Sequence, residues 1–269
     1  AVALDRRVPY AQLVATQVKS LQRARRKLPH LYEARCIIPP RAFEQSSSKE
    51  SAERKAIKGD SLLDLSCGLG IDVIAASRNF KRVVTVERDE VLGAVVRHNL
   101  GLLNIDNVEV ITADSETYVA ECSEHFDWVF IDPDRRSLEG KKMVRMEDCS
   151  PNVIELMPRL KEVATRVAMK LSPLFDVEEA FRLFVGCGVE VISLGGECKE
   201  VMIYADGEGE RLAAEAIGRG RGEYQRAEIC DEPCAGDFTA QEYRYLIVPD
   251  VALQKARLVQ HSLHGVADV

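Results

Sequence analysis

The sequence predicts an α/β protein with a doubly wound, mostly parallel β-sheet. From residue 61 onward, short runs rich in Val, Ile and Leu alternate with stretches of helical periodicity. The runs are bounded by polar turns, as strands that are buried on both faces should be. A strand followed by a helix and then another strand is typical of a parallel sheet with helices on both faces.

The individual elements follow from these runs. Five strands are predicted over residues 61–65, 82–86, 107–111, 126–131 and 164–171. Five helices are predicted between and after them, over about 71–79, 89–103, 114–123, 150–162 and 176–186. Two further runs, 188–194 and 200–205, are separated by GGECK, which leaves no room for a helix. They predict a hairpin, and therefore an antiparallel last strand.

Composition divides the chain into three predicted segments. Residues 1–59 form a basic helical N-terminal segment, residues 60–205 the sheet domain and residues 206–269 a small α+β C-terminal extension. In the extension, RLAAEAIG predicts a helix, RYLIV a strand and residues 249–263 a helix. The extension and the N-terminal segment therefore flank a single α/β domain.

The N-terminal segment begins with a predicted helix over residues 9–28, which Pro29 terminates. Its apolar face contains Leu13, Val14, Gln17, Val18 and Leu21. Two prolines break the stretch 36–48, which predicts a loop, and a short helix is expected over 49–58.

Composition also excludes several classes of protein. Of the 269 residues, 46% are hydrophobic and 29% are charged, as in ordinary globular domains. No stretch of the chain is long and apolar enough to span a membrane, and AVALDRRVPY is not a signal peptide. The eight cysteines include no C-x-x-C pair, which predicts reduced thiols in a cytoplasmic protein. Cys230 and Cys234, with His261 and His264, are too loosely spaced to predict zinc, so no metal is expected.

The charge is distributed unevenly. The first 60 residues hold 13 Lys and Arg against 6 Asp and Glu, whereas the remainder holds 23 against 37. Basic residues crowd the end of the first helix: Lys19, Arg23, Arg25, Arg26 and Lys27. Lys19, Arg23, Arg26 and Lys27 follow one row on that helix. The row is either a solvated helix face or a surface that binds a polyanion such as RNA.

The first strand–helix junction has the features of a nucleoside site. Asp64 ends the strand, and Gly68 and Gly70 form a tight turn that lets the backbone approach a ligand. Glu87 ends the next strand, where a carboxylate accepts both ribose hydroxyls. Val73 stands where dinucleotide-binding proteins need a third small residue. These residues favour a positively charged nucleoside without phosphates, which describes S-adenosylmethionine.

The later strand ends supply further candidates. Asp114 follows the third strand, where it either meets the adenine amine or caps the next helix. Asp132 and Pro133 follow the fourth strand, beside the expected sulfonium, and a carboxylate there accepts a hydrogen bond from a substrate N–H. Arg135 and Arg136 come next, and they form either a solvated, salt-bridged turn or contacts to phosphates and bases.

The fifth strand ends at the same predicted rim. It carries Lys170 and, just after it, Ser172. Because Lys170 alternates with apolar neighbours in a strand that should be buried, it needs a partner or a functional role.

Six segments together resemble the class I S-adenosylmethionine-dependent methyltransferases, and in particular a bacterial family that carries a THUMP-like RNA-binding region. They are KLPHLYEARCIIPPRAFEQSSS, DLSCGLGIDV, FDWVFIDPDRR, MKLSPLFD, GGECKEV and YLIVPDVALQKA. The resemblance covers about residues 40–205 and implies a Rossmann-like methyltransferase domain there. It implies a cofactor site made of Gln45, Ser46, Ser47, Asp64, Ser66, Gly68, Gly70, Glu87, Arg88, Asp114 and Ser115.

The sequence departs from these relatives at several points. Ser66 stands where most of them have the first glycine of the cofactor loop. Asp134 and Arg135 replace the proline and the aromatic residue with which amino-methylating enzymes hold a flipped base. Ser172 occupies the place of the cysteine nucleophile of uridine-C5 enzymes. Neither base amino methylation nor covalent C5 methylation is therefore supported. The RNA-recognition region of the family would extend past residue 256, so the C-terminal extension is expected to be incomplete.

The sequence therefore predicts an S-adenosylmethionine-dependent methyltransferase that acts on RNA. The predicted catalytic residues are Asp132, Pro133, Arg135 and Lys170, and the predicted substrate-binding residues are Arg23, Arg26, Lys27, Arg136 and Ser172. Two alternatives stay open, a methyltransferase for small molecules or proteins and a non-catalytic cofactor-binding module. A third, a dinucleotide-dependent oxidoreductase, is disfavoured by Val73.

Overall fold

The computed structural model describes residues 9–135, 149–229 and 247–263. The chain forms two compact units, one of residues 1–132 with 151–165 and one of residues 133–150 with 166–269. The segment bounds expected from composition remain a prediction.

The first unit contains a four-stranded parallel sheet and eight helices among the residues described. Four helices precede the sheet: α1 (Ala11–Lys27), α2 (Pro29–Glu33), α3 (Pro40–Gln45) and α4 (Lys49–Glu53). The strands are β1 (Gly59–Asp64), β2 (Phe80–Glu87), β3 (Val108–Thr112) and β4 (Phe126–Ile131). The other helices are α5 (Ile71–Ala76), α6 (Glu90–Leu102), α7 (Ser115–Glu121) and α8 (Val153–Val163). The strand order is β4-β1-β2-β3 and every pairing is parallel, as the alternation of strands and helices predicted.

Polar side chains fix where the helices of this unit begin. Asp89, Asp114 and Asn152 are the N-cap residues of α6, α7 and α8, and each accepts a hydrogen bond from a backbone N–H of the first helical turn. Two of these caps follow a strand within two residues. The chain therefore turns sharply at the carboxyl ends of β2 and β3, which is where parallel sheets of this kind bind ligands.

The N-terminal helices of the first unit pack against α5 and α6. Ala24 and Leu28 are fully buried and share a core with Leu69, Ile74 and Leu100. The predicted apolar face of α1 is wrong for the first half of the helix, where Leu13, Val14 and Val18 are 48–67% exposed. The cause is that only the second half of α1 lies over the core, and it packs through small residues, Ser20 and Ala24. The stretch predicted as a loop contains α3, because a proline suits the first turn of a helix.

The second unit is a mixed β-structure. Its strands are β5 (Asp134–Arg135), β6 (Cys149–Ser150), β7 (Ala164–Leu171, the first two residues of which belong to the first unit), β8 (Gly188–Leu194), β9 (Glu197–Ala205), β10 (Arg211–Ala216) and β11 (Gly220–Gln225). Its helices are α9 (Val177–Leu183), α10 (Val251–Lys255) and α11 (Val259–Leu263). The larger sheet has the order β7-β9-β8-β10-β11, in which only the pair of β8 with β10 is parallel.

The second unit confirms the predicted hairpin and corrects the C-terminal elements. Strand β9 is antiparallel to β8, as predicted. It is not the last strand, because it lies between β7 and β8 in the sheet and β10 and β11 come after it in the chain. RLAAEAIG forms β10 instead of a helix, because pairing with β8 and β11 overrides the helical propensity of its alanines. The single helix predicted over 249–263 is two short helices. In RYLIV, residues 244–246 lie outside the described part, and residues 247 and 248 form no strand.

Candidate functional site

The glycine turn after β1 has the backbone shape that the sequence predicted. Gly68 and Gly70 have φ angles of 54° and 78°, which side chains rarely adopt. A Cβ on Gly70 would lie 3.1 Å from Cγ1 of Val96 in α6, so this glycine is also needed for packing. A Cβ on Gly68 would meet only a backbone oxygen at 4.0 Å. The backbone of Gly68 is therefore open to the approach of a ligand.

Asp64 is buried beneath the glycine turn and binds its first residue, Ser66, through hydrogen bonds. The side chain is 1% exposed, and its Oδ1 accepts hydrogen bonds from the backbone N of Ser66 at 3.1 Å and from the Ser66 hydroxyl at 3.0 Å. Its Oδ2 accepts one from the Thr85 hydroxyl at 2.5 Å. Burial raises the pKa of Asp64 to about 7. Both oxygens are therefore directed at the loop and at β2, and the cofactor-binding role of Asp64 stays a prediction.

Glu87 connects the end of β2 to the same turn. Its Oε2 accepts a hydrogen bond from the backbone N of Gly68 at 2.9 Å, and its Oε1 accepts one from the backbone N of Asp89 at 2.9 Å. An ionised carboxylate has about four acceptor positions, so each oxygen keeps one for a further donor. The half-buried side chain is thus fixed in place and still able to hold two hydroxyls. The neighbouring Arg88 is exposed.

The start of α7 completes the edge formed by β1, β2 and β3. Asp114 is exposed, and only its Oδ1 takes part in the three hydrogen bonds that cap the helix. The Ser115 hydroxyl donates to the backbone oxygen of Leu65 at 2.6 Å, which fastens α7 to the end of β1. Glu87 ends β2, and Asp114 lies just beyond β3, the parallel neighbour of β2. Both carboxylates keep oxygen positions that can accept hydrogen bonds from a ligand.

Residues 45–47, which the resemblance assigns to the cofactor site, are attached to the helix that follows the glycine turn. Gln45 is exposed at the end of α3, and the Ser46 hydroxyl donates to the backbone oxygen of Phe43. The Ser47 hydroxyl donates to Oδ2 of Asp72 at 3.0 Å, in the first turn of α5. The Oδ1 of Asp72 accepts from Nζ of Lys55 at 2.5 Å, and the Lys55 side chain is only 4% exposed.

Sequence reasoning missed Lys55 and Asp72. The available signal was Asp72 itself, an acidic residue in the first helical turn directly after the two glycines. Its partner lies 17 residues earlier, in a stretch with no recognisable motif. A buried lysine needs a partner, and only the fold shows which carboxylate provides it.

Asp132 lies at the carboxyl end of β4, and its backbone N donates to the Ser66 hydroxyl at 2.8 Å. The glycine turn and the predicted catalytic residue are therefore joined by a direct hydrogen bond. The side chain of Asp132 is half-buried.

The predicted catalytic and substrate residues that follow Asp132 in the chain fall in the second unit. Pro133 is buried, and the backbone of Arg135 pairs with that of Cys149, but the Arg135 side chain and all of Arg136 lie outside the described part. Lys170 is half-buried in β7, opposite Met202 of β9. The Ser172 hydroxyl accepts a hydrogen bond from the backbone N of Leu174, which forms the turn after β7.

The four residues of the basic row of α1 differ in their contacts within the protein. The Arg23 guanidinium lies 5.1 Å from the centre of the Phe43 ring and contacts Glu44, and the Lys27 ammonium donates to the backbone oxygen of Phe43. Lys19 and Arg26 are exposed and lie outside these contacts. Half of the row therefore holds α3 against α1.

Metal-binding and membrane-spanning features are absent from residues 9–135, 149–229 and 247–263. Within these ranges no three His, Cys, Asp or Glu side chains are grouped so that they hold a metal ion. Cys230, Cys234 and His264 lie outside the ranges, and His261 packs edge-on against the Tyr224 ring. In the same ranges no helix has both the length and the apolar character needed to cross a membrane.

Comparisons with known proteins point in the same direction as the site. A family model described as Conserved hypothetical protein 95 matches residues 46–145. The chain is 27% identical over 248 residues to an uncharacterized S-adenosylmethionine-dependent methyltransferase of Mycobacterium tuberculosis, covering 88% of this chain and 64% of the relative. It is 30% identical over 156 residues to the tRNA/tmRNA (uracil-C(5))-methyltransferase of Shigella boydii, covering 50% of this chain and 42% of that one. The chain thus spans less than two thirds of these relatives.

A solved structure matches nearly the whole fold. The crystal structure of a candidate methyltransferase from Porphyromonas gingivalis W83 superposes with a TM-score of 0.81 at 24% identity, covering 97% of this chain and 69% of that one. At this identity the likeness concerns the fold. Together with the parallel βαβ arrangement around the glycine turn, it defines the chain as a Rossmann-like α/β protein with the class I methyltransferase fold.

Proposed function

We propose that this protein is an S-adenosylmethionine-dependent methyltransferase whose cofactor binds at the carboxyl ends of β1, β2 and β3. The observation that carries the proposal is the pair formed by Gly68 and Glu87. The glycine leaves its backbone open, and the carboxylate is held against it with acceptor positions to spare. This is the arrangement that a ribose requires.

The chemistry of the site fits this cofactor better than a dinucleotide. Glu87 and Asp114 place two carboxylates at one edge, where they repel phosphates and attract hydroxyl and amine donors. Val73 is 1% exposed inside α5, where a dinucleotide-binding fold uses a small residue for close packing. In the proposed site Glu87 holds the ribose, Asp114 meets the adenine amine, and Ser46 and Ser47 border the site from the segment attached to Asp72.

The bound cofactor would supply an electrophilic methyl group, whose transfer needs alignment more than acid catalysis. Correct alignment alone is worth roughly 7–11 kcal/mol. We propose that Asp132, whose backbone is bonded to the glycine turn, orients the acceptor or takes a proton from it. Arg135, Arg136 and Lys170 would hold an anionic substrate, with Pro133 fixing the direction of the chain and Ser172 the turn after β7.

We infer RNA as the substrate class. The support comes from the basic N-terminal segment, from the relatives named as tRNA/tmRNA methyltransferases, and from the resemblance to a family with a THUMP-like region. Uracil C5 is not the proposed acceptor, since Ser172 stands in place of a nucleophilic cysteine. Cys67 does not replace it, because burial raises the pKa of its thiol.

One observation favours the alternative, a small-molecule or protein substrate. Arg23 and Lys27 are engaged with Phe43 and Glu44, so two cations of the basic row are already in use within the protein. A phosphate backbone would have to displace these contacts or bind only Lys19 and Arg26.

Transfer of tritium from methyl-labelled cofactor into separate cell pools of RNA, protein and small molecules tests the proposal. Label is expected in the RNA pool with the parent protein and not with Asp132→Ala. Label in another pool alone would establish the alternative substrate class. An absence of label in every pool, with the cofactor bound, would identify a non-catalytic binding module.

A further inference from the structure

The Ser66 side chain makes two hydrogen bonds at the start of the glycine turn. The Ser66 hydroxyl donates to Oδ1 of Asp64 at 3.0 Å and accepts the backbone N–H of Asp132 at 2.8 Å. The hydroxyl therefore links the glycine turn, which is the cofactor loop of the proposed function, to the end of β4.

Asp64, which accepts the Ser66 hydroxyl, is itself held in place by burial and by a second hydrogen bond. Asp64 is 1% exposed, and its second oxygen accepts from the hydroxyl of Thr85, which is fully buried in β2. Since the Ser66 hydrogen is directed at Asp64, the lone pairs of the hydroxyl oxygen remain for the N–H of Asp132. A continuous chain of hydrogen bonds therefore runs from β2 through the end of β1 to the end of β4.

We infer that Ser66 is a positioning residue, which fixes Asp132 relative to the cofactor loop. The inference rests on the proposed function, in which the cofactor lies on that loop and Asp132 acts on the acceptor. Misplacement of a reacting group by about 1 Å can cost roughly a hundredfold in rate. Loss of the hydroxyl should therefore lower turnover while the cofactor contacts of Gly68 and Glu87 persist.

The same pair of strands contains a matched control. The Ser61 hydroxyl accepts the backbone N–H of Asp127 at 3.0 Å, so it also links β1 to β4. Ser61 lies near the amino end of β1, opposite the end that carries the site. Ser61→Ala removes the same kind of hydrogen bond as Ser66→Ala, but away from Asp132.

The test measures tritium transfer into whichever cell pool the parent protein labels, expected to be RNA, and titrates S-adenosylhomocysteine into each variant. For Ser66→Ala and Ser66→Gly, kcat should fall about tenfold to a hundredfold, well beyond any change in the dissociation constant. Ser66→Thr keeps the hydroxyl and should recover most of kcat, and Ser61→Ala should behave as the parent. Amide hydrogen exchange at Asp132, followed by NMR, should become faster in Ser66→Ala and not in Ser61→Ala.

The possible failures are distinct. A parent protein that transfers no label to any pool would overturn the proposed function, and the inference with it. An active parent whose Ser66→Ala variant keeps full kcat, or loses kcat and cofactor affinity together, would overturn the inference alone. Unchanged exchange at Asp132 would overturn it as well, because the hydrogen bond would then not hold that backbone.

Discussion

The two ends of the strand pair β1 and β4 use the same chemistry for different results. At the amino end, the Ser61 hydroxyl accepts the N–H of Asp127, and the Asp127 carboxylate accepts the N–H groups of Asp60 and Ser61. At the carboxyl end, the Ser66 hydroxyl accepts the N–H of Asp132. At both ends a serine joins two parallel strands to an aspartate that lies 66 residues further along the chain.

The two ends differ in how much space their backbone leaves and in the hydrogen-bond acceptors nearby. At the amino end a Cβ on Gly59 would meet the Asp127 carboxylate at 2.9 Å, so that end is packed closed. At the carboxyl end, Gly68 is open and Glu87 keeps acceptor positions. Parallel topology brings successive loops together at the carboxyl ends of the strands, and we therefore propose that the same hydrogen bond serves stability at one end and a site at the other.

Removing the two aspartates should separate these roles most clearly. Asp132→Ala should reduce turnover by roughly a hundredfold or more, as for the loss of a positioned acid or base. The affinity for S-adenosylhomocysteine should stay the same, because Asp132 lies beyond the cofactor loop. Labelled-methyl transfer and calorimetric titration measure the two quantities, and an equal loss in both would make Asp132 a cofactor-holding residue.

The opposite result is expected at the amino end. Asp127→Ala leaves two backbone N–H groups without their charged acceptor, and hydrogen bonds to charged groups contribute about 1.5–3 kcal/mol. The free energy of unfolding in urea should fall by about that amount. Turnover and cofactor affinity of the folded protein should match the parent. A specific loss of turnover at full stability would contradict the proposed division between the two ends.

The smallest effect is expected at the basic row, which lies outside this strand pair. Lys19 and Arg26 are exposed members that lie outside the contacts to Phe43 and Glu44, so a double Ala variant should weaken RNA binding and lower the slope of log affinity against log salt. The slope should decrease by about 0.7 for each phosphate of a single strand that the variant no longer neutralises. Lys58 and Lys161 are exposed lysines outside the row, and their double Ala variant is the charge-matched control. Equal slopes in both variants would make the row an ordinary solvated face.

The sequence was most informative where the backbone itself determines the residue type. Gly68 and Gly70 were predictable because positive φ angles select glycine. Asp114 was predictable as a helix cap, because a short acceptor before a helix has few other roles. The carboxyl ends of β1 to β4 were predicted to within one residue, since short apolar runs bounded by polar turns have a well-defined end.

The sequence was least informative where distant segments decide the outcome. The apolar face of α1 gave no sign that Leu13 and Val14 lie beyond the core. The alanines of β10 indicated a helix until their pairing with β8 and β11 was known. Lys55 and Asp72 meet through the fold rather than through a motif. Each of these cases depends on tertiary contacts that local propensity does not contain.

Calorimetric titration of S-adenosylhomocysteine and of NAD into the parent and Glu87→Ala proteins tests the central claim most directly. The parent should bind S-adenosylhomocysteine at one site and give no heat with NAD. In Glu87→Ala, loss of charge-assisted hydrogen bonds of about 1.5–3 kcal/mol should weaken binding at least about tenfold. Binding of NAD without binding of S-adenosylhomocysteine, or an unchanged affinity in folded Glu87→Ala, would contradict a cofactor site at the ends of β1 and β2.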